Sequence, residues 1–137
     1  MHQGMMLARG LSMLLGLTLG ACSASGFLPD WTSSDAAGPE PAARFLISNR
    51  MNDIVGDPSK AGTFEISAAQ RVDSIKGASW QVCLKTQNFP RLPNFYAVFI
   101  QRDRVTDSRF SVLIDHCELQ TFRPFDWSAD ANNPSAR

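Results

Sequence analysis

Four short stretches constrain the fold of this chain more than any other feature: three alternate polar and apolar residues, and one is an apolar run. They cover residues 63–67, 79–86, 95–102 and 110–115, and residues 95–102 are the most apolar and richest in β-forming side chains. An alternation of period two predicts β-strands that bury one face, and the third stretch is expected to be the central strand. Because the connections are short, the sequence predicts an antiparallel sheet of roughly four strands.

One amphipathic helix is predicted ahead of the first strand, within residues 42–55. Gly56 supplies a stop signal, and Pro58 prevents the helix from continuing. Such a helix is too short to be stable alone, so it is expected to pack on one face of the sheet, which gives an α+β domain. Its apolar face is formed by Ala43, Ile47, Met51, Ile54 and Val55, with Leu46 beside Ile47.

The start of the chain has the layout of a secretory signal. Arg9 precedes an apolar run over residues 10–20, and small residues lead to Cys22. The run is about half of the roughly 20 apolar residues that a membrane-spanning helix needs, so an uncleaved anchor is not expected. The Leu-Gly-Ala-Cys motif that ends at Cys22 resembles the lipobox of bacterial lipoprotein precursors. This resemblance implies that residues 1–21 are a signal peptide that is removed and that Cys22 is acylated, with palmitate as a typical chain. An exported protein with a cysteine by chance after its cleavage site is the alternative.

The cysteine count agrees with lipidation. Three cysteines are an odd number for an exported chain, and lipidation of Cys22 leaves Cys83 and Cys117 as an even pair in an oxidising compartment. We therefore predict a Cys83–Cys117 disulfide, which would stabilise the domain by about 3–4 kcal/mol. The alternative is a redox-active pair or a nucleophilic thiol. It is disfavoured because there is no Cys-x-x-Cys motif and no lysine or arginine directly beside either thiol.

Composition divides the rest of the exported chain into three parts. Residues 22–41 are mostly Ser, Ala, Gly, Pro and Asp, and are expected to form a lipidated flexible tether. The large apolar residues Phe27, Leu28 and Trp31 in it have two interpretations, an apolar spot near the bilayer or a short motif that docks on a partner. Residues 42–127 are predicted to be a small α+β periplasmic domain. Residues 128–137 are small and polar, and are expected to be a disordered tail.

Several motifs together resemble a family of small, uncharacterised alphaproteobacterial lipoproteins. They are Asp57, Pro58 and Ser59 after the helix, a Trp-x-Val-Cys strand that ends at Cys83, and a second cysteine before the aromatic segment 122–125. The resemblance covers about residues 43–125 and departs from the family in the loop at 88–94. It brings no assigned activity. It implies an envelope lipoprotein of a Gram-negative cell, anchored in the outer membrane and facing the periplasm, since Ser23 fits outer-membrane sorting.

The sequence carries few signs of catalysis or of nucleic-acid binding. The 13 basic and 13 acidic residues are interspersed, which argues against a nucleic-acid partner. His116 is the only histidine after the signal, so with both cysteines bridged no ordinary zinc site is expected, nor any cofactor. Asp115, His116 and Cys117 place an acid, a base and a thiol in sequence, but neighbours in a strand point to opposite faces. We therefore do not expect an enzyme.

Two segments with aromatic, proline and arginine residues, 89–96 and 122–127, are the candidates for recognition. Loops on a rigid scaffold often carry binding, and this composition is typical of interface hot spots. The simpler interpretation is that the aromatic residues close the ends of the core. The candidate partner-binding residues are Phe89, Arg91, Tyr96, Arg123 and Trp127.

The sequence thus favours a membrane-anchored envelope lipoprotein that acts as a non-enzymatic interaction or structural component. A small-ligand-binding or inhibitor module of the periplasm is the alternative, and it would need a pocket between helix and sheet with Trp80 or Tyr96 exposed beside it. A thiol-dependent enzyme is the third hypothesis, and it would need Cys83 or Cys117 as a free thiol of low pKa.

Overall fold

The structure is a computed structural model that describes residues 36–74 and 76–137. The predicted signal peptide, Cys22 and most of the predicted tether lie outside the described residues. The helices are α1 (Ala43–Ser48), α2 (Met51–Val55) and α3 (Trp127–Asp130). The strands are β1 (Thr63–Ser67), β2 (Gln70–Ser74), β3 (Gly77–Gln87), β4 (Asn94–Gln101), β5 (Arg104–Phe110) and β6 (Phe122–Pro124), and short 3-10 helices cover Pro58–Lys60, Leu113–Asp115 and Cys117–Leu119.

These strands form one open antiparallel sheet in the order β5-β4-β3-β1-β6, with β2 also paired to β3. The predicted antiparallel sheet and disulfide are confirmed. Within residues 36–74 and 76–137, however, the sheet has six strands instead of roughly four, and three short α-helices stand where one was predicted. The first three predicted strands correspond to β1, β3 and β4.

The fourth predicted strand, at 110–115, is wrong. Strand β5 lies earlier and ends at Phe110, and the chain then forms the 3-10 helix Leu113–Asp115. The physical cause is Asp115, whose carboxylate accepts the backbone N–H of Val112 at 2.9 Å and bonds to Arg109 of β5. A buried carboxylate with these partners closes a turn that an extended strand cannot make.

Strands β1 and β2 pair with opposite halves of β3 and are separated by a β-bulge. Ile66 lies opposite Leu84, whereas Gln70 lies opposite Gln81, so the β1–β2 side has one residue more than β3 between these pairs. The Ser67 hydroxyl accepts the backbone N–H of Cys83 at 2.9 Å at this point. An extra residue exchanges the two faces of a strand, so the even-numbered side chains of β1 and β2 face opposite sides of the sheet.

The predicted single helix is interrupted at Asn49 and Arg50. The Asn49 amide donates to the carbonyl oxygen of Phe45 at 2.8 Å, which is a side-chain bond that competes with helix continuation. Helix α2 then begins at Met51. The predicted apolar face is nevertheless buried, because Ala43, Ile47, Met51 and Ile54 all belong to the core between the helices and the sheet.

Both faces of the central strands are covered. The helix-side core joins the helices to the even-numbered residues of β3 and β4, among them Val82, Leu84 and Val98, which have no exposed surface. On the second face, a smaller cluster joins Cys83 and Ala97 to Cys117. The polar residues Ser79 and Gln81 of β3 on this face are buried.

Both ends of the described chain pack against the domain. Residues 36–41 were expected to belong to the tether, and residues 128–137 to a disordered tail. Ala37 is buried, and its carbonyl oxygen accepts the backbone N–H of Arg102 at 3.1 Å. The Trp80 indole N–H donates to the carbonyl oxygen of Gly38 at 3.1 Å. Beyond α3, Ala136 is buried as well. The domain therefore includes residues 36–41 and residues of the predicted tail.

Gly62 gives a prediction on the connection between the first 3-10 helix and β1. Its φ is +89°, and a Cβ there would lie 2.1 Å from the carbonyl oxygen of Gln87. Gly56 also has a positive φ of +80°, but nothing lies within 4 Å of its Cβ position. We expect Gly56→Ala to lower the free energy of unfolding by about 1–2 kcal/mol from backbone strain alone, and Gly62→Ala to lower it by clearly more. Urea denaturation of both variants measures the difference, and equal losses would contradict the close approach.

Asp126 leads to a prediction on how the stability of the domain depends on pH. Its carboxylate caps α3, accepting the Ser128 hydroxyl at 2.8 Å and the Ala129 N–H at 3.2 Å, and these bonds lower its pKa. A depressed carboxyl pKa contributes stability that is complete above the unfolded pKa of about 3.9 and is lost as the pH falls through the folded pKa. Asp126→Asn keeps a capping oxygen but does not titrate. We expect its stability deficit, measured by thermal unfolding, to shrink below about pH 4. A deficit that does not change with pH would contradict this.

Candidate functional site

The Cys83–Cys117 disulfide is confirmed, with a Cα–Cα distance of 5.4 Å. It joins the middle of β3 to the segment 111–121, which crosses the second face of the sheet. Gln81 supports the same crossing, because its amide donates to the carbonyl oxygen of Asp115 at 2.6 Å. A cross-link and a buried hydrogen bond therefore hold this segment on the sheet.

Arg109 and Asp115 form the main ion pair beneath the segment. The Arg109 Nη2 atom lies 2.7 Å from Asp115 Oδ1, and the guanidinium lies over the Phe99 ring at 4.7 Å from its centroid. Hydrogen bonding to the Asp115 carboxylate raises the pKa of Arg109. The pair positions the turn after β5. Both Asp115 carboxylate oxygens accept hydrogen bonds, from Arg109 and from the Val112 N–H.

The adjacent acid, base and thiol of the sequence have three different environments. The Cys117 sulfur is bonded to Cys83, Asp115 is buried against Arg109, and His116 is exposed in a left-handed backbone conformation with φ of +52°. A bridged sulfur is not a nucleophile. The arrangement acts as structural support for the crossing segment.

The first two candidate binding residues, Phe89 and Arg91, are exposed in the β3–β4 loop. The Phe89 side chain is 83 % exposed. The loop itself is held from within, since the Gln87 amide donates to the Arg91 carbonyl oxygen at 2.9 Å and the Arg91 N–H donates to the Asn88 carbonyl oxygen at 2.9 Å. A defined loop thus presents an aromatic and a basic side chain to the surroundings.

Tyr96 belongs to the core. A partner-binding residue must be exposed, and Tyr96 is not. Its side chain is buried on the helix side of β4, and its ring stacks on that of Phe110 at a centroid distance of 4.7 Å. Desolvation raises the pKa of its phenol. The interpretation that the aromatic residues close the core is therefore the correct one for Tyr96.

Arg123 and Trp127 lie away from the loop. Arg123 is exposed on β6 opposite Ile66 of β1, and Trp127 begins α3 and packs against the helix-side core. Trp127 is half-buried, beside Gly62 and Phe64 at the start of β1. The structure therefore groups Phe89 with Arg91 and places Arg123 and Trp127 at other parts of the surface.

The structure adds further exposed apolar side chains to Phe89, which the sequence already singled out. Strand β5 ends at Phe110 opposite Tyr96, and the Ser111 N–H donates to the Phe95 carbonyl oxygen at 2.8 Å. The residues that follow β5 therefore begin at the same end of the sheet as the β3–β4 loop. We call Phe89, Leu92 and Phe110, which are 63 % to 86 % exposed, the apolar end. Val112, Leu113 and Ile114 are exposed as well, but the chain there turns back over the second face, where the Asp115 carbonyl oxygen accepts from Gln81.

The sequence contains a signal for the exposed residues after β5. Val112, Leu113 and Ile114 are three consecutive apolar residues, a pattern that breaks the alternation expected of a half-buried strand. Asp115 follows three residues after Val112, at the spacing with which an acidic side chain caps a short helix. Together, these features favour a turn with exposed apolar residues.

One surface depression bears on the ligand-binding alternative. It has a volume of about 350 Å³, lies between α1 and the β1–β6 edge and is lined by Arg44, Ile66 and Arg123 among others, and not by Trp80 or Tyr96. Arg44 is already paired there with Asp130 at 2.8 Å. The required exposed aromatic residue beside a cavity is therefore not found at this depression.

The described residues contain no group of three or more His, Cys, Asp or Glu side chains that could hold a metal ion. None of the helices within 36–74 and 76–137 has the length and apolar character needed to cross a membrane. Comparison with known proteins finds no matching family model, no matching curated protein and no matching solved structure.

Proposed function

We propose that this chain is a membrane-anchored envelope lipoprotein that acts as a non-enzymatic interaction component, with the apolar end as its contact surface. The apolar end is the observation that carries the proposal. Exposed apolar side chains that cluster on a small domain mark interaction sites, because their removal from water drives association. Phe89 and Leu92 are 83 % and 86 % exposed in a loop with its own hydrogen bonds.

The anchoring part of the proposal rests on the lipobox at Cys22 and is supported by the disulfide. Disulfides persist in oxidising compartments such as the periplasm. The Cys83 and Cys117 residues are both almost fully buried, so their bridge is part of the domain core. Export followed by acylation of Cys22 would thus account for all three cysteines.

The anchoring is tested by fractionation of cells that express the wild type or Cys22→Ala. We expect the wild type in the membrane fraction and the variant in the soluble periplasmic fraction. A variant that remains wholly with membranes would show that acylation is not the anchor.

The contact surface is tested by mild cross-linking in intact cells followed by affinity capture. We expect the wild type to recover a specific envelope protein, and the Phe89→Ser, Leu92→Ser double variant to lose it. Leu119→Ser is the matched control, because Leu119 is 75 % exposed but lies outside the apolar end. Equal recovery by the wild type and the double variant would contradict the proposed surface.

A further inference from the structure

A depression lies on the second face of the sheet, where the crossing segment 111–121 stops. That segment covers β3 as far as Gln81, whose amide donates to it. Phe99 of β4 is paired with Gln81, and Asp107 of β5 is paired with Phe99, so the three side chains share this face. Together with Ser79, which precedes Gln81 by two residues in β3, Phe99 and Asp107 line a depression of about 240 Å³. It is on the side of the sheet away from the helices.

Ser79 and Gln101 supply polar atoms that the fold does not use. Ser79 is 3 % exposed, and its hydroxyl makes no hydrogen bond within the part of the chain that the structure describes. The Gln101 amide nitrogen donates to the Ala78 carbonyl oxygen at 2.9 Å, which leaves its side-chain oxygen as an acceptor. Buried polar groups are normally hydrogen-bonded, so the Ser79 hydroxyl is available to a molecule that occupies the depression.

The charges around the depression balance. Asp107 Oδ2 lies 3.8 Å from Lys76 Nζ and 3.9 Å from Arg109 Nη1. Both distances exceed the roughly 2.7–2.9 Å of a charge-assisted hydrogen bond, so the Asp107 carboxylate can accept further bonds. Arg109 is also paired with Asp115 at 2.7 Å. Two acids and two cations favour neither a net anion nor a net cation, and they suit a neutral molecule that both donates and accepts hydrogen bonds.

Phe99 provides an apolar surface beside these polar groups. Its side chain is half-buried, and the Arg109 guanidinium lies over its ring. The volume of about 240 Å³ is smaller than the roughly 300–1,000 Å³ of sites for drug-sized molecules. The space therefore suits one small ring that has an apolar face and polar groups around its edge.

We infer that this depression binds one neutral sugar ring. A pyranose has an apolar face of C–H groups, which packs against Phe99, and hydroxyl groups that both donate and accept. The hydroxyl groups donate to Asp107 and Gln101 and accept from Ser79. This inference goes beyond the proposed function, and it does not depend on acylation of Cys22 or on the apolar end.

The inference is tested by NMR titration of the full exported chain, held in a zwitterionic detergent that contains no sugar. The probes are the methyl glycosides of glucose, galactose and N-acetylglucosamine. With at least one of them, we expect saturable amide shifts that are largest at Ser79, Phe99 and Gln101. No saturable shift with any of the three, or shifts centred elsewhere on the domain, would overturn the inference.

Glycerol and benzoate separate a sugar site from less specific binding. Glycerol has hydroxyl groups but no ring face, so it is expected to give no saturable shift at the same concentrations. Benzoate has an apolar face but carries a negative charge. A response to glycerol equal to that of the glycosides would overturn the inference, and so would binding of benzoate in the absence of glycoside binding.

Asp107→Asn is expected to weaken glycoside binding by about fivefold, because a hydrogen bond to a charged group is roughly twice as strong as a neutral one. Asp103→Asn is the matched control, since it removes the same charge from an exposed residue that does not line the depression. Ser79→Ala is a second variant that removes a hydroxyl without a partner in the described chain, and it should weaken binding while the amide spectrum stays that of a folded domain. Affinities of Asp107→Asn and Ser79→Ala equal to that of the wild type would overturn the inference.

Discussion

Removal of both bridged cysteines, in a Cys83→Ala, Cys117→Ala variant, is expected to lower the free energy of unfolding by about 3–4 kcal/mol. The bond closes a sequence separation of 34 residues, and its loss returns that conformational freedom to the unfolded chain. Since small domains have only about 5–15 kcal/mol of stability, the loss is a large share of the total. Urea denaturation followed by tryptophan fluorescence measures it.

The same experiment with reductant provides the control. Reduced wild type is expected to unfold at a urea concentration close to that of the double variant, since both lack the cross-link. Amide hydrogen exchange should become faster in residues 111–121, which the bond holds on the sheet. A loss below about 1 kcal/mol, the scale of an ordinary substitution, would contradict a stabilising role.

Leu84→Ala is expected to lower the free energy of unfolding by about 2–5 kcal/mol, because it removes buried atoms and leaves a cavity. Leu84 has no exposed surface and lies in the helix-side core between β3 and the helices. Leu92→Ala is the matched control, since Leu92 is 86 % exposed and its replacement should change stability by no more than about 0.5 kcal/mol.

The midpoint of urea denaturation distinguishes these two variants. Comparable losses from Leu84→Ala and Leu92→Ala would mean that the β3–β4 loop is packed against the domain instead of being exposed. That result would also remove the support for the apolar end as a contact surface.

The strands that could be predicted from sequence are those with a clear alternation or a long apolar run. Strands β1, β3 and β4 meet this condition. Strand β2 does not, because Val72 is its only large apolar residue and most of its side chains are exposed. Strand β6 is three residues long and ends in Pro124, so its pairing with β1 is decided by the tertiary structure and not by propensity.

The candidate site, like the strands, could be predicted only where local sequence determines the structure. Exposure of Phe89 and Arg91 follows from the prolines around them, which mark a loop. The exposure of Leu113 and Ile114 depends on Asp115 meeting Arg109 and the Val112 N–H, which are contacts that a strand pattern does not encode. Burial of Tyr96 likewise depends on its register opposite Phe110 and on the helices above it.

The β-bulge between β1 and β2 determines how residues 63–74 may be compared or redesigned. Before the bulge, Ile66 faces the helices together with Leu84, and after it Arg71 shares that face with Trp80. Deleting one residue at Ala68 or Ala69 would turn all of β2 over, moving Arg71 to the disulfide side and Gln70 to the helix side. Any alignment or grafting scheme must therefore keep the number of residues between Ile66 and Gln70 unchanged, since even a change between two alanines would reassign every side chain of β2.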